Sequence, residues 1–291
     1  MNKCILEIKS LTKYYGKVKG VDNLSLKLNE GEVFGFIGPN GAGKSTTIRS
    51  VMNLINKTSG VVFIDGEVFD KGNVKLKKKI GYLPSEINLY DDLTVCEMLD
   101  YNESFYANDI HERRKYLVKV LELDESKKIE DLSFGNLKKL GIVLAMMHEP
   151  EILILDEPTS GLDPIMQNVF FDLLKEEKKR GTTIFYSTHI LSEVSKICDR
   201  VGIIKDGELI KVENMEDLSK KNLTFVQVSS VQVEEIMNDL KVDGEFKNKN
   251  TIRFANTLSS DKLIKKLAKY TIDNILIEEA TLEDMFLHFY K

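Results

Sequence analysis

The stretch "GPNGAGKST", Gly38 to Thr46, constrains this chain more than any other. It matches the spacing G-x-x-x-x-G-K-[ST], with the β-rich run "VFGFI" before it and the helix-patterned run "STTIRSVMNLI" at its end. Gly38, Gly41 and Gly43 let the backbone turn sharply and bring its N–H groups together, with Pro39, Asn40 and Ala42 completing the loop. The helix that follows directs the positive end of its dipole at the same place. Lys44 adds a mobile point charge, and the Ser45 hydroxyl, with Thr46 beside it, suits a hard cation. A strand, loop and helix in this order form a cradle for a chain of phosphates, and they predict an α/β fold.

"EILILDE" supplies a second half. Four apolar residues predict a buried strand, and Asp156 falls at its C-terminal end, where open α/β sheets place their ligands. A carboxylate there is suited to hold Mg²⁺ through water, and Glu157 next to it is placed to polarise an attacking water. Upstream, "LSFGN" precedes an apolar helical run, "LGIVLAMM". The Ser133 hydroxyl, free N–H groups around Gly135 and the helix dipole together would attract an anion. The same residues also read as an ordinary helix N-cap.

Along the chain, "CILEIKSL", "VDNLSLKL" and "GVVFIDGEVF" alternate as strands, the last around a hairpin signal at Asp65-Gly66. Ile48, Val51, Met52 and Ile55 have helical spacing after the loop. From about Leu93 to Leu121 the pattern is helical and charged. "EILILDE", "TTIFYSTH" and "VGIIKDGELI" then return to a parallel core. From about Ser219 the order becomes β-α-β-β-α-β, similar to a small ferredoxin-like domain, followed by a helix over "TLEDMFLHFY".

Composition removes several classes of function. The 291 residues carry a net charge of −5 with both signs interspersed, which argues against a nucleic-acid binder. No apolar run approaches the roughly 18 residues a membrane helix needs, so no direct membrane span is expected. The start lacks the apolar core of a secretory signal, and the chain is read as cytosolic. Three scattered cysteines, Cys4, Cys96 and Cys198, fit reduced thiols packed as small apolar residues.

The ordered set "GPNGAGKST", "LSFGN", "ILILDEP", "SGLD" and "STH" resembles the nucleotide-binding subunit of an ATP-binding cassette (ABC) transporter, over roughly residues 1 to 215. That resemblance implies a phosphate-loop NTPase core with an N-terminal antiparallel β subdomain and a helical insertion, plus a small C-terminal α+β domain. The implied domains are a cassette over 1–218, with a helical subdomain at about 86–145, and an accessory domain over 219–291. ATP and Mg²⁺ are the implied cofactors. By position, Gly38 to Thr46 would bind the phosphates, Ser45 and Asp156 the metal, and Glu157 would be the general base. His189 would contact the γ-phosphate and position Glu157, while Tyr15 would stack on adenine, with Tyr14 as the competing choice. Ser133 and Gly135 would cap ATP held by a partner cassette, so a homodimer or heterodimer is implied, and Asp163 would meet that partner.

The sequence departs from the family at two places. Phe134 and Asn136 replace the usual glycine and glutamine of the signature. In "GYLPSE", Ser85 stands where the family has glutamine; water or the Glu86 carboxylate would then take over its role. Both departures, with "LYDDLTVCEML" and the chain end, resemble ATP-binding subunits of bacitracin-type exporters, whose permease is a separate six-helix chain. The implied activity is ATP hydrolysis driving transport, on the inner face of the cell membrane through that permease. The alternative is a permease-free cassette ATPase of translation or repair.

Overall fold

The computed structural model describes residues 3–107, 109–220, 224–256 and 258–279. The chain divides into two units, 1–215 and 216–291. In the first, alternating residues make β1 (Cys4–Tyr15) and β2 (Val18–Asn29) an antiparallel pair. β3 (Val33–Ile37) is buried at every position and leads through the glycine loop into α1 (Lys44–Val51). That helix stops before Ile55, because Asn53 adopts a φ of +56° that a helix does not accept. β4 (Ser59–Ile64) and β5 (Glu67–Val68) form the hairpin, with Asp65 and Gly66 at φ +51° and +80°. The four strands make one sheet in the order β2-β1-β4-β5.

The chain continues through α2 (Val74–Lys77), β6 (Ile80–Leu83), α3 (Val95–Glu103), α4 (His111–Val120) and α5 (Phe134–Met146). The charged helical stretch is therefore two helices, the first opened by a capping box between Thr94 and Glu97. Next come β7 (Ile152–Asp156), α6 (Pro164–Lys179), β8 (Thr183–Thr188), α7 (Leu191–Ile197), β9 (Arg200–Lys205) and β10 (Glu208–Asn214). They build a second sheet in the order β10-β9-β3-β8-β7-β6, parallel from β9 to β6. "VGIIKDGELI", expected within the parallel core, supplies only β9 to it. Asp206 and Gly207, at φ +49° and +80°, reverse the chain and send β10 back antiparallel along the edge. Ile48 and Val51 of α1 pack with Ile8 and Leu26 of the first sheet and with Phe34, Ile154 and Phe185 of the second. One helix thus ties both sheets into one core.

The second unit, entered through α8 (Met215–Lys220), is β11 (Thr224–Ser229), α9 (Val233–Leu240), β12 (Gly244–Asn248), β13 (Thr251–Asn256), α10 (Ser260–Leu267) and β14 (Asn274–Glu279). All three strand pairs are antiparallel, in the order β12-β13-β11-β14, the ferredoxin-like arrangement. Val226, Val228, Ile252 and Phe254 of the sheet pack with Ile236 and Leu263 of its helices. Phe254→Ala is expected to destabilise this unit by about 3–5 kcal/mol in denaturant unfolding; a loss under about 1 kcal/mol would deny the ring its place in the core. The helix expected over "TLEDMFLHFY" lies outside the described residues. No helix among the described residues is long and apolar enough to cross a membrane.

Candidate active site

Strand register assembles the site. Ile37 pairs with Thr188 between β3 and β8, and Asp156 pairs with Ser187 between β7 and β8. The three strands therefore end together, and the glycine loop, the acids and His189 emerge at one edge of the sheet.

In the loop, the glycines are sterically required. A Cβ on Gly38 would sit 2.4 Å from the Ile204 carbonyl oxygen, and one on Gly43 2.5 Å from that of Gly20. Gly43 also has a φ of +105°, and Gly41 one of +83°. Lys44, its side chain 4% exposed, folds back over the loop. Its Nζ donates to the carbonyls of Gly38 (2.7 Å) and Pro39 (3.2 Å) and lies 3.4 Å from Glu157 Oε1. Ser45 and Thr46, half-buried, fill the first turn of α1. Tyr15 is exposed; its ring and Thr46 both border Gly20, which brings Tyr15 close to the start of α1. Lys13 Nζ stands 4.7 Å from the centre of that ring, whereas the Tyr14 hydroxyl donates to Asp22.

Asp156 is fully buried, with Oδ1 accepting from the Ser187 hydroxyl at 3.1 Å. Its Oδ2 is buried with no protein partner. That orphaned oxygen and the hydroxyl of Ser45 are hard donors, the chemistry that suits Mg²⁺. Burial, then the Asp156 charge, pushes the nearby Tyr82 hydroxyl up to about 12, so that phenol stays protonated. Glu157 has a φ of +47°; its N–H donates to Ser187 and its Oε1 lies 3.2 Å from His189 Nδ1. Lys44 and His189 thus meet on one carboxylate oxygen, Glu157 Oε1, of the residue next in the chain to Asp156.

Ser133 and Gly135 belong to a second cluster. Ser133 caps α5, its hydroxyl accepting from the Asn136 N–H at 3.3 Å. Phe134 is the first residue of that helix, so the residue replacing glycine there has ordinary right-handed backbone. Its exposed ring covers Gly161, where a Cβ would come within 2.3 Å of it. Asp163 caps α6 by accepting from the N–H groups of Ile165 and Met166. Glu86 is exposed beside the half-buried Ser85.

Two residues passed over in the sequence also belong here. Lys138 is buried, and its Nζ donates to the carbonyls of Ser85 (3.1 Å), Pro84 (3.3 Å) and Glu157 (3.5 Å). Burial pushes its pKa down, opposed by the charges of Asp156 and Glu157. Glu193, also buried, accepts hydroxyls from Thr159 (2.5 Å), Thr188 (2.7 Å) and Tyr186 (3.0 Å). It joins the segment after Glu157 to the residue before His189. Each is a charged residue on the buried stripe of a helix, Lys138 with Ile142 and Ala145, Glu193 with Val194 and Ile197. That spacing was the available signal.

A strand-loop-helix cradle with an acid pair at a parallel sheet edge defines a phosphate-loop ATPase. The family model for ABC transporters matches residues 21–160. The bacitracin transport ATP-binding protein BcrA of Bacillus licheniformis is 38% identical, over 97% of this chain and 96% of its own length. The linearmycin resistance ATP-binding protein LnrL of Bacillus subtilis is 40% identical over 75% of this chain and 71% of its own. Among solved structures, a dimeric bacterial ABC transporter cassette is 27% identical with a TM-score of 0.67, covering 72% of this chain and 99% of that one. The same cassette in a post-hydrolysis state, bound to ADP and phosphate, has a TM-score of 0.66 over the same shares at 27% identity. The chain belongs to the ABC transporter family, as an ATP-binding and ATP-hydrolysing subunit of the group that includes BcrA.

Proposed function

We propose that this subunit drives export through a separate membrane permease, with two cassettes closing head-to-tail over two ATP molecules. The observation that carries it is the split of the chemistry within one chain: Lys44, Glu157 and His189 form one cluster, and the exposed N-terminal turn at Ser133 lies in another, with Gly161. A second cassette would bring its Ser133 and Gly135 to the phosphates held by the first, and Asp163 would face the same boundary. The likeness to a bacitracin transport subunit supports the coupling to transport, and that to a linearmycin resistance subunit supports the outward direction.

In this reading Gly38 to Thr46 wrap the phosphates with backbone N–H groups, and Lys44 exchanges its two carbonyl partners for phosphate oxygens. Tyr15 stacks on the adenine. Glu157 takes the proton of the attacking water, and His189 holds the Glu157 carboxylate in line. Ser45 and Asp156 would hold Mg²⁺, which would supply charge neutralisation at the phosphates. Residues 1–218 act as the cassette, with its helical subdomain at about 86–145, and residues 219–291 as an accessory domain. Tyr90, Tyr101 and Phe105, exposed and packed edge-on at 6.0 and 5.0 Å, offer the permease an aromatic surface on the cytoplasmic side.

The test is co-purification from the membranes of a cell that expresses the chain and its neighbouring reading frames. A six-helix membrane protein that co-purifies with the tagged subunit, and stimulates its ATP hydrolysis, is the expected result. Full ATP hydrolysis with no membrane partner would favour the permease-free ATPase.

A further inference from the structure

Lys138 is the buried cation of this site that the scheme above leaves without work. An ammonium has three donors and no acceptor, and here it meets three backbone carbonyls from two separate segments, Pro84 and Ser85 after β6 and Glu157 after β7. None of these partners is a carboxylate, so the group is not there to complete an ordinary ion pair. Its position on the chain matters as much. Glu157 is held on one side by its N–H, which donates to the Ser187 carbonyl of β8, and on the other by its carbonyl, which accepts from the Ser160 N–H (3.3 Å) within the turn and from Lys138 (3.5 Å) across it. Between those anchors its backbone keeps a φ of +47°, a conformation that a non-glycine residue leaves if released. That conformation sets where the side chain starts, and so where Oε1 meets His189.

We infer that Lys138 is a positioning residue for hydrolysis: it clamps the Glu157 carbonyl to the Pro84–Ser85 turn and thereby holds the Glu157 carboxylate in its working direction. The clamp ties the turn that carries the unusual Ser85 to the catalytic acid, with a lysine of the signature helix doing the tying. Glu86, exposed beside it, is not needed for that link. The inference rests on the assignment of Glu157 as the general base.

The experiment compares the full-length wild type with K138M, K138Q, K138R, E157Q and the double variant K138M/E157Q. It measures steady-state ATP hydrolysis, binding of a fluorescent ATP analogue with Mg²⁺, and thermal unfolding. K138M keeps the length of the side chain and removes every donor. It is expected to lose at least tenfold in kcat with analogue affinity within twofold of wild type, and K138R to regain most of the loss. K138Q, which keeps donors without charge, is expected between them, and it decides the matter if K138M does not fold. A residue acting through Glu157 adds nothing once Glu157 is gone, so the double variant should be no slower than E157Q. Wild-type kcat in K138M or K138Q with an inactive E157Q would overturn the clamp alone, as would a double variant clearly slower than E157Q. Wild-type rates in E157Q would overturn the base assignment and the clamp with it.

Discussion

Glu157→Gln is expected to slow ATP hydrolysis at least a hundredfold while leaving ATP bound. A general base contributes about 10²–10⁴ to a rate, and glutamine keeps the shape of the side chain without accepting a proton. The binding side of the site gains, if anything. Lys44 Nζ, 3.4 Å from Glu157 Oε1, would face a neutral amide and so meet the phosphates with less competition. A cassette that binds and does not turn over should accumulate as a closed dimer. Phosphate release and gel filtration in ATP and Mg²⁺ read both halves of this result, and rapid hydrolysis by the variant would remove Glu157 from the role of base.

Lys44→Ala should have its effect on binding. The side chain is 4% exposed and satisfied by two loop carbonyls, at 2.7 and 3.2 Å, so truncation removes the loop's ammonium and strands two acceptors. Hydrogen bonds to charged groups contribute about 1.5–3 kcal/mol each, which puts the loss of ATP affinity at roughly tenfold to a hundredfold. Calorimetric titration with ATP and Mg²⁺ measures it directly. An affinity equal to wild type would mean that the loop N–H groups alone hold the phosphates.

The two features most legible in the sequence were those whose chemistry is contiguous. Gly38 to Thr46 must be a loop between strand and helix, because the phosphates need every element within a few residues. "EILILDE" likewise carries its strand and its acids together. Tertiary contact was harder to read. Lys138 meets carbonyls 53 and 54 residues earlier and 19 later, and no local pattern names those partners, though the apolar stripe around it flagged a buried charge. Glu193 is similar, its three hydroxyl donors drawn from two elements. β10 was misplaced for a different reason. Asp206-Gly207 carries the same turn chemistry as Asp65-Gly66, with Lys205 and Glu208 on either side of it, so the reversal was legible there and the reading of one strand passed over it. At Phe134 the sequence posed a question that backbone geometry answered, since the first position of a helix does not require glycine.

If Glu157 is the base, as proposed, function outranks ease of folding at this position. With a φ of +47° it occupies backbone that glycine enters freely and an L side chain enters at a cost of about 1–2 kcal/mol. Glycine at this position would relax the fold and remove the carboxylate proposed as the base. A search for stabilised variants of this subunit would therefore be drawn to Glu157→Gly and to loss of activity in a single step. The chain is held slightly above its most stable state at the residue proposed for the central role in hydrolysis, and the hydrogen bonds from Glu157 to Ser187, from Ser160 to Glu157 and from Lys138 to Glu157 oppose its relaxation.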